Sequence, residues 1–355
     1  MKIFAINSSA RTGDVSKTEI VLNWLVEGMQ DAKADVEVVN IHRKKINYCK
    51  GCFVCWTKTP GKCVYKDDMS KELLSKYLEC DLAIMATPLF HYTVNAKLKT
   101  FIERTLPMAM PFFKLNDRGV TTHPLRNEPP PVVVVSVAGF PEMSVFDQLS
   151  SYVNFLYKDK LVAEVYRTAA EVLVGPMASV KFKAIREATI QGGRELVKSK
   201  GISPGTMEAM TQELTNFEKM GPMGNLAWQT CIDEGVTMGQ FQKRGMVPRP
   251  DSIDTFMQIM RLGFNAEKAV DESFTIQFKF SGKVAGDCHF RVMNNTIDFK
   301  AGAAENPGLI IKTPFDLWMD ILTRKADGQQ MFMDHKYSIE GDFNLLLKMS
   351  DTFGR

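Results

Sequence analysis

The run Val132-Val133-Val134-Val135-Ser136-Val137-Ala138 constrains the fold of this chain more than any other feature. Its residues are β-branched or small and show no polar alternation, so a strand made from them must be covered on both faces. It is the longest apolar stretch and falls far short of the roughly 18 residues that suggest a membrane span. Residues 2–7, 36–41, 81–87 and 161–166 read as further strands. Between them lie segments with apolar residues at helical spacing. Residues 17–31 place Ile20, Val21, Trp24, Leu25 and Met29 on one face, and 95–106 do the same with Leu98, Phe101 and Ile102. Residues 144–158 and 177–200 also read as helices. Strands alternating with helices make an α/β fold, a doubly wound parallel sheet with helices on both faces.

The pattern changes past residue 200. Residues 203–219 look helical, Gly221-Pro222-Met223-Gly224 breaks that helix, and Gly245-Met246-Val247-Pro248-Arg249-Pro250 has the punctuation of a linker. Beyond it, residues 274–280 alternate strictly. Residues 289–293 and 296–299 continue the alternation across the turn residues Asn294-Asn295. These are antiparallel strands with one apolar face. Helices at 315–324 and 343–353 flank a short strand at 336–340. A chain of 355 residues holds two or three domains. They are placed at 1–220, at 221–250 (a helical linker region) and at 251–355.

In a doubly wound sheet, ligands sit beyond the carboxyl ends of the strands, where the strand order reverses. The loops after the first, third and fourth strands meet there. The first, residues 7–18, is rich in small hydroxyl residues and opens a helix. Ser9, Ser16 and Thr18, with Arg11 and Lys17, offer hydroxyls, positive charge and a helix N-terminus to a terminal phosphate. The same residues also read as an ordinary N-cap by Ser16 or Thr18, and the Gly-rich dinucleotide fingerprint is absent. The second loop contains Thr87, Pro88, Leu89, Phe90, His91 and Tyr92. It suits the face and edge of a flat ring, or simply covers itself with its own aromatics. The third contains Ala138, Gly139, Phe140, Pro141 and Glu142. Its small residues let backbone approach a ligand, or make a tight turn.

Together these loops resemble the NAD(P)H-dependent FMN reductase and iron–sulfur flavoprotein branch of the flavodoxin-like superfamily. Ser8-Ser9-Ala10-Arg11 and Ser16-Lys17-Thr18 stand where that family carries Gly-Ser-Pro-Arg and Gly-Asn-Thr. Residues 49–69, with Trp56-Thr57-Lys58-Thr59-Pro60-Gly61-Lys62-Cys63 and Asp67-Asp68-Met69, and residues 139–143 also look like the family. The resemblance spans about the first 220 residues and implies a flavodoxin-like fold. It implies FMN held by Ser9, Arg11, Ser16, Lys17, Thr18, Thr87, Pro88, Leu89, Phe90, Ala138, Gly139 and Phe140. It also implies NAD(P)H as the electron donor, and a homodimer. The first loop departs most, since Ser8 and Ser16 replace glycines.

Four of the seven cysteines form C-x2-C-x2-C-x7-C: Cys49, Cys52, Cys55 and Cys63. Thiolates at this spacing can wrap one face of a cubane cluster. Zinc, which favours two separated pairs, suits the spacing less well. The iron–sulfur branch carries a 4Fe–4S cluster on a similar motif. Relatives with the Trp-Thr-Lys-Thr-Pro-Gly insert look like plain flavoproteins, in which these thiols are structural or reactive. Both readings stand at this point. Cys80, Cys231 and Cys288 read as isolated core residues.

From about residue 251 the chain resembles a sterol carrier protein 2 domain. The likeness rests on Phe264-Asn265-Ala266-Glu267-Lys268-Ala269, residues 274–282, 307–317 and 331–333, and Ser338-Ile339-Glu340-Gly341-Asp342. It implies a smaller α+β domain whose curved sheet encloses an apolar tunnel for a lipid or another small apolar molecule. Phe278, Phe280, Phe290, Phe299, Trp318, Met319 and Leu346 are the residues to line such a cavity or to fill it.

A formal net charge of +3 argues against a dedicated nucleic-acid binder. The amino-terminal residues lack the apolar core and cleavage site of a signal peptide, so a cytoplasmic protein with no integral membrane segment is expected. His42-Arg43-Lys44-Lys45 reads as a solvated surface run or as a contact for a nucleotide phosphate. The expected function is an FMN-dependent oxidoreductase whose acceptor is apolar. The alternatives are an iron–sulfur electron-transfer protein and a lipid carrier with a non-catalytic first half.

Overall fold

A computed structural model describes residues 1–116, 119–173, 180–269 and 272–353. The chain divides into two compact units, Met1–Phe217 and Glu218–Arg355.

In the first unit, β1 (Lys2–Asn7), β2 (Asp35–Asn40), β3 (Leu82–Pro88), β6 (Val132–Val137) and β7 (Leu161–Arg167) form one sheet in the order β2-β1-β3-β6-β7. A short hairpin of β4 (Lys114–Leu115) and β5 (Thr121–Thr122) lies apart from it. Every pairing in the main sheet is parallel. Counted alone, the five strands follow the flavodoxin-like order, with the reversal between β1 and β3. The valine run is buried on both faces. Val132 and Val134 join a core covered by α2 (Leu74–Glu79), α3 (Ala96–Glu103) and α4 (Asp147–Tyr157). Val133, Val135 and Val137 join the opposite core under α1 (Lys17–Asp31) and α5 (Val180–Lys198). On that side α1 and α5 touch backbone to backbone. A Cβ on Gly28 would lie 1.8 Å from the Ile190 carbonyl oxygen, and one on Gly193 would lie 2.1 Å from that of Leu25. The helix expected over 177–200 is observed from Val180, and its first expected residues lie outside the described ones.

Helix α6 (Pro204–Thr211) closes the first unit. Arg167, at the end of β7, is buried and donates to the carbonyls of Met210, Thr211 and Gln212, satisfying the end of α6.

The second unit carries β8 (Ser273–Ser281), β9 (Gly286–Met293), β10 (Thr296–Ala301), β11 (Leu309–Pro314) and β12 (Ser338–Gly341) in the order β10-β9-β8-β11-β12. β8, β9 and β10 are antiparallel neighbours, and β11 runs parallel to β8. Asn294 and Asn295 both have positive φ, as a two-residue hairpin turn demands.

The break expected at Gly221-Pro222 is absent, because α7 (Phe217–Asp233) runs through it. Pro222 lies early in the helix and removes only the bond to the Glu218 carbonyl, while Leu226, Thr230 and Cys231 bury one face. Residues 218–250 belong to the second unit. Arg249 donates its backbone N–H to Thr230 Oγ1 at 2.9 Å and pairs with Asp320 at 2.5 Å. The remaining helices are α8 (Met238–Lys243), α9 (Ile253–Gly263), α10 (Phe315–Leu322), α11 (Gly328–Met333) and α12 (Asn344–Phe353). Phe278, Phe280, Phe290, Phe299, Trp318 and Met319 are buried against one another as core. Phe278 meets Phe256 at 5.0 Å and Trp318 at 5.1 Å, ring centre to ring centre. Among the described residues, no helix is long and apolar enough to cross a membrane.

Candidate functional site

The loops after β1, β3 and β6 leave adjacent strands, so all three open at one sheet edge. Hydrogen bonds stitch them together. Ser8 donates both its N–H and its hydroxyl to the Ala86 carbonyl, each at 2.9 Å. Leu89 N–H donates to the Val137 carbonyl at 2.9 Å.

In the first loop, Ser16 caps α1 by accepting from Glu19 N–H, so the capping reading holds. The same hydroxyl donates to Ser9 Oγ at 2.9 Å. Two buried hydroxyls therefore sit side by side at the start of a 15-residue helix. The first N–H groups of such a helix have no intrahelical acceptor, and its dipole favours an anion there. Lys17 is only 6% exposed, and its ammonium lies 3.1 Å from Glu171, a carboxylate that Arg11 approaches at 3.9 Å. Thr18 is buried beside it on α1. Hydroxyls, a helix N-terminus and two cations make a donor set that fits a phosphate monoester.

The second loop holds its backbone in a rare state. Phe90 and Thr93 exchange both backbone hydrogen bonds at 3.1 Å, and His91 and Tyr92 between them have φ of 46° and 61°. Turns of this shape favour Asn and Gly, and strained residues of this kind cluster at binding sites. Phe90 and Tyr92 are exposed. Thr87 is turned inward, donating to the Pro88 carbonyl and accepting from Asn95 N–H. Its hydroxyl is engaged within the loop.

In the third loop the Ala138 backbone is committed: its N–H donates to the Arg167 carbonyl and its carbonyl accepts from Ala170 N–H. Gly139 is different. A Cβ there would meet no protein atom within 4 Å, so the space above it is open to a ligand. Phe140 beside it is exposed.

Sequence reasoning missed Asn95 and Glu171. Asn95 caps α3 and donates Nδ2 to the Ser8 carbonyl at 2.6 Å, joining the first and second loops. Its position just before a helix marks a cap, but the bond to Ser8 spans 87 positions and leaves no local trace.

The four cysteines line one pocket together with Phe53, Tyr65 and Arg104. The loop carrying them is closed at its base, where Asp68 N–H donates to the Lys45 carbonyl at 3.0 Å, Lys45 N–H donates to Asp68 Oδ2 at 2.7 Å and Asn47 N–H donates to Asp67 at 2.8 Å. Arg104, at the carboxyl end of α3, clamps this base. Nη1 meets Asp67 Oδ2 at 2.7 Å and Nη2 meets Oδ1 at 3.0 Å, with both side chains 1% exposed. Burial alone would lift the Asp67 carboxyl, but hydrogen bonds from Arg104 and Asn47 hold it well below the usual carboxylate range. Burial and the nearby Cys63, Cys49 and Cys52 push the Cys55 thiol up. Among the described residues no set of three ligands is drawn close enough to hold a single metal ion. Cys80, Cys231 and Cys288 are buried apart from this pocket.

Residues 1–156 match the sequence model of the family described as NADPH-dependent FMN reductase, and residues 264–354 that of the SCP-2 sterol transfer family. Over 108 residues the chain is 42% identical to an iron–sulfur flavoprotein of Archaeoglobus fulgidus, covering 30% of this chain and 46% of that protein. Over 104 residues it is 34% identical to an iron–sulfur flavoprotein of Methanocaldococcus jannaschii, covering 29% of this chain and 50% of that one. The chain thus spans about half the length of these relatives. The NAD(P)H:quinone oxidoreductase structure from Methanothermobacter marburgensis aligns at 17% identity and a TM-score of 0.41, over 55% of this chain and 96% of that one. By these matches residues 1–156 are similar to the NADPH-dependent FMN reductase family, and residues 264–354 to the SCP-2 sterol transfer family.

Proposed function

We propose that this chain is an FMN-dependent oxidoreductase that takes electrons from NAD(P)H or a protein carrier and passes them to an apolar acceptor of sterol, quinone or acyl type. The observation that carries this reading is the convergence of three chemically distinct loops at one sheet edge. Ser9, Ser16 and the first turn of α1 receive the phosphate, with Lys17 and Arg11 balancing its charge. Phe90, Tyr92 and Phe140 flank the ring and exclude water from its faces, and the open space at Gly139 admits its edge. FMN, when bound, supplies the redox chemistry itself, and the protein's part is binding and orientation. The apolar acceptor is supported by the SCP-2 family segment and by the exposed Met333, Phe343 and Leu347.

A second cofactor is favoured by a separate observation, the four cysteines facing one pocket. We assign Cys49, Cys52, Cys55 and Cys63 to a 4Fe–4S cluster, which gives the protein a one-electron partner for the flavin. We also expect the chain to act as a homodimer.

Native mass spectrometry and the absorption spectrum of anaerobically purified protein test both assignments. FMN in the purified chain, lost on combining Arg11→Glu with Ser9→Asp, is the expected result. Undiminished flavin content in that variant overturns the phosphate assignment. A broad absorption band beside the flavin peaks, with four irons per chain, is expected for the cluster.

A further inference from the structure

Arg104 has more hydrogen-bonding capacity than its partners use. Nη1 donates to Asp67 Oδ2 and to the Asn47 carbonyl, both at 2.7 Å. Nη2 donates to Asp67 Oδ1 at 3.0 Å and to Ser70 Oγ at 3.1 Å. The guanidinium plane is thus fixed on one side by a bidentate carboxylate and covered by the Tyr65 ring at 5.0 Å. What remains is Nε–H, which is buried and has no hydrogen-bond partner. An unpaired buried donor is costly, so native structures seldom keep one without a use.

The orphan donor belongs to a residue that lines the cysteine pocket. Cys63 lines the same pocket, and its side chain contacts the guanidinium. The other charged side chains at this pocket are held less firmly. Glu103 pairs with Lys99 at 2.6 Å and is exposed, and Lys50 is exposed. Arg104 is therefore the one charge among them that is both rigid and desolvated.

We propose that Arg104 is a positioning residue for the iron–sulfur site, donating its Nε–H to the Cys63 sulfur once that sulfur is a ligand. This rests on the cluster assignment made above. Asp67 would orient the donor, as outer partners orient ligands in other metal sites. A hydrogen bond and a fixed positive charge at a ligand sulfur favour the reduced, more negative cluster, so Arg104 raises its reduction potential.

The test uses the full chain, reconstituted anaerobically with ferrous iron and sulfide and titrated with dithionite while the cluster is followed by electron paramagnetic resonance. Arg104→Lys keeps a positive charge for Asp67 but has no Nε–H in that place. The pair Arg104→Gln with Asp67→Asn keeps the loop base neutral if the lysine variant does not fold. Iron content near wild type with a midpoint potential displaced to more negative values supports the proposal. An unchanged potential in a loaded variant overturns it and leaves the cluster assignment intact. Failure of the wild-type chain to take up iron, matched by Cys63→Ser, removes the cluster assignment itself and the proposal with it.

Discussion

The ammonium of Lys17 stands 3.1 Å from Glu171 Oε2, and Arg11 reaches the same carboxylate from its other side at 3.9 Å. On the proposed phosphate assignment, Glu171 competes with the phosphate for both cations. Glu171→Gln should therefore tighten FMN binding, roughly two- to five-fold, because the pairs are partly exposed and each contributes at most about 1 kcal/mol. Fluorescence titration of the flavin-free protein measures this. Riboflavin, which lacks the phosphate, should show no gain. Weaker FMN binding in the variant would mean that Glu171 supports the loop rather than competing in it.

The turn at His91-Tyr92 carries a second consequence. Left-handed backbone costs ordinary residues about 1–2 kcal/mol each. Replacing the pair by Asn-Gly should raise the unfolding free energy by a similar total, read from urea denaturation of the flavin-free chain. The same variant should bind FMN more weakly, since an exposed aromatic ring has gone. A variant that is both less stable and unchanged in affinity contradicts this account of the loop.

Asp67 sets an acid limit on the first unit. Its folded pKa is depressed, so its contribution to stability is complete above the unfolded value of roughly 3.9 and is lost as pH falls through the folded value. Asp67→Asn removes that dependence and leaves Arg104 buried without a counter-charge, a loss of about 3–5 kcal/mol at neutral pH. The gap between the two proteins should narrow below pH 4. Denaturation at a series of pH values would show this, and a gap constant with pH would contradict it.

Cysteine reactivity should divide by position. In cluster-free protein at mildly alkaline pH, iodoacetamide should modify exposed Cys52 first, then half-buried Cys49 and Cys63. Burial pushes Cys80 up to about 11 and Cys288 up to about 12, so both should stay unmodified until the chain unfolds. Peptide mass spectrometry reads the order. Early modification of Cys288 would show that the second unit opens locally.

Much of the architecture was legible because burial leaves local marks. The unbroken valines announced a strand covered on both sides, and the alternation at 274–280 announced one covered on a single side. α1 began and ended where its apolar spacing placed it. α2, α11 and strand β11 carried weaker patterns and were not singled out, and α9 was missed although Phe256, Ile259 and Met260 share one buried face. Pro222 misled because a proline counts against a helix locally, whereas the buried face of Leu226 and Thr230 decides the matter through packing. The candidate site divided in the same way. Ser9, Ser16 and Lys17 were legible from loop chemistry. Arg104 was not, because its role depends on Asp67, 37 positions earlier in the chain. The inward turn of Thr87 depended likewise on Asn95, which no local pattern reveals.

Helix α3 holds the loop after β1 at one end through Asn95 and the cysteine loop at the other through Arg104. Eight residues at 1.5 Å each make it a strut about 12 Å long. Its length is thus also an angular setting. One residue inserted into α3 would leave Asn95 in place and swing Arg104 about 100° around the helix axis, away from Asp67.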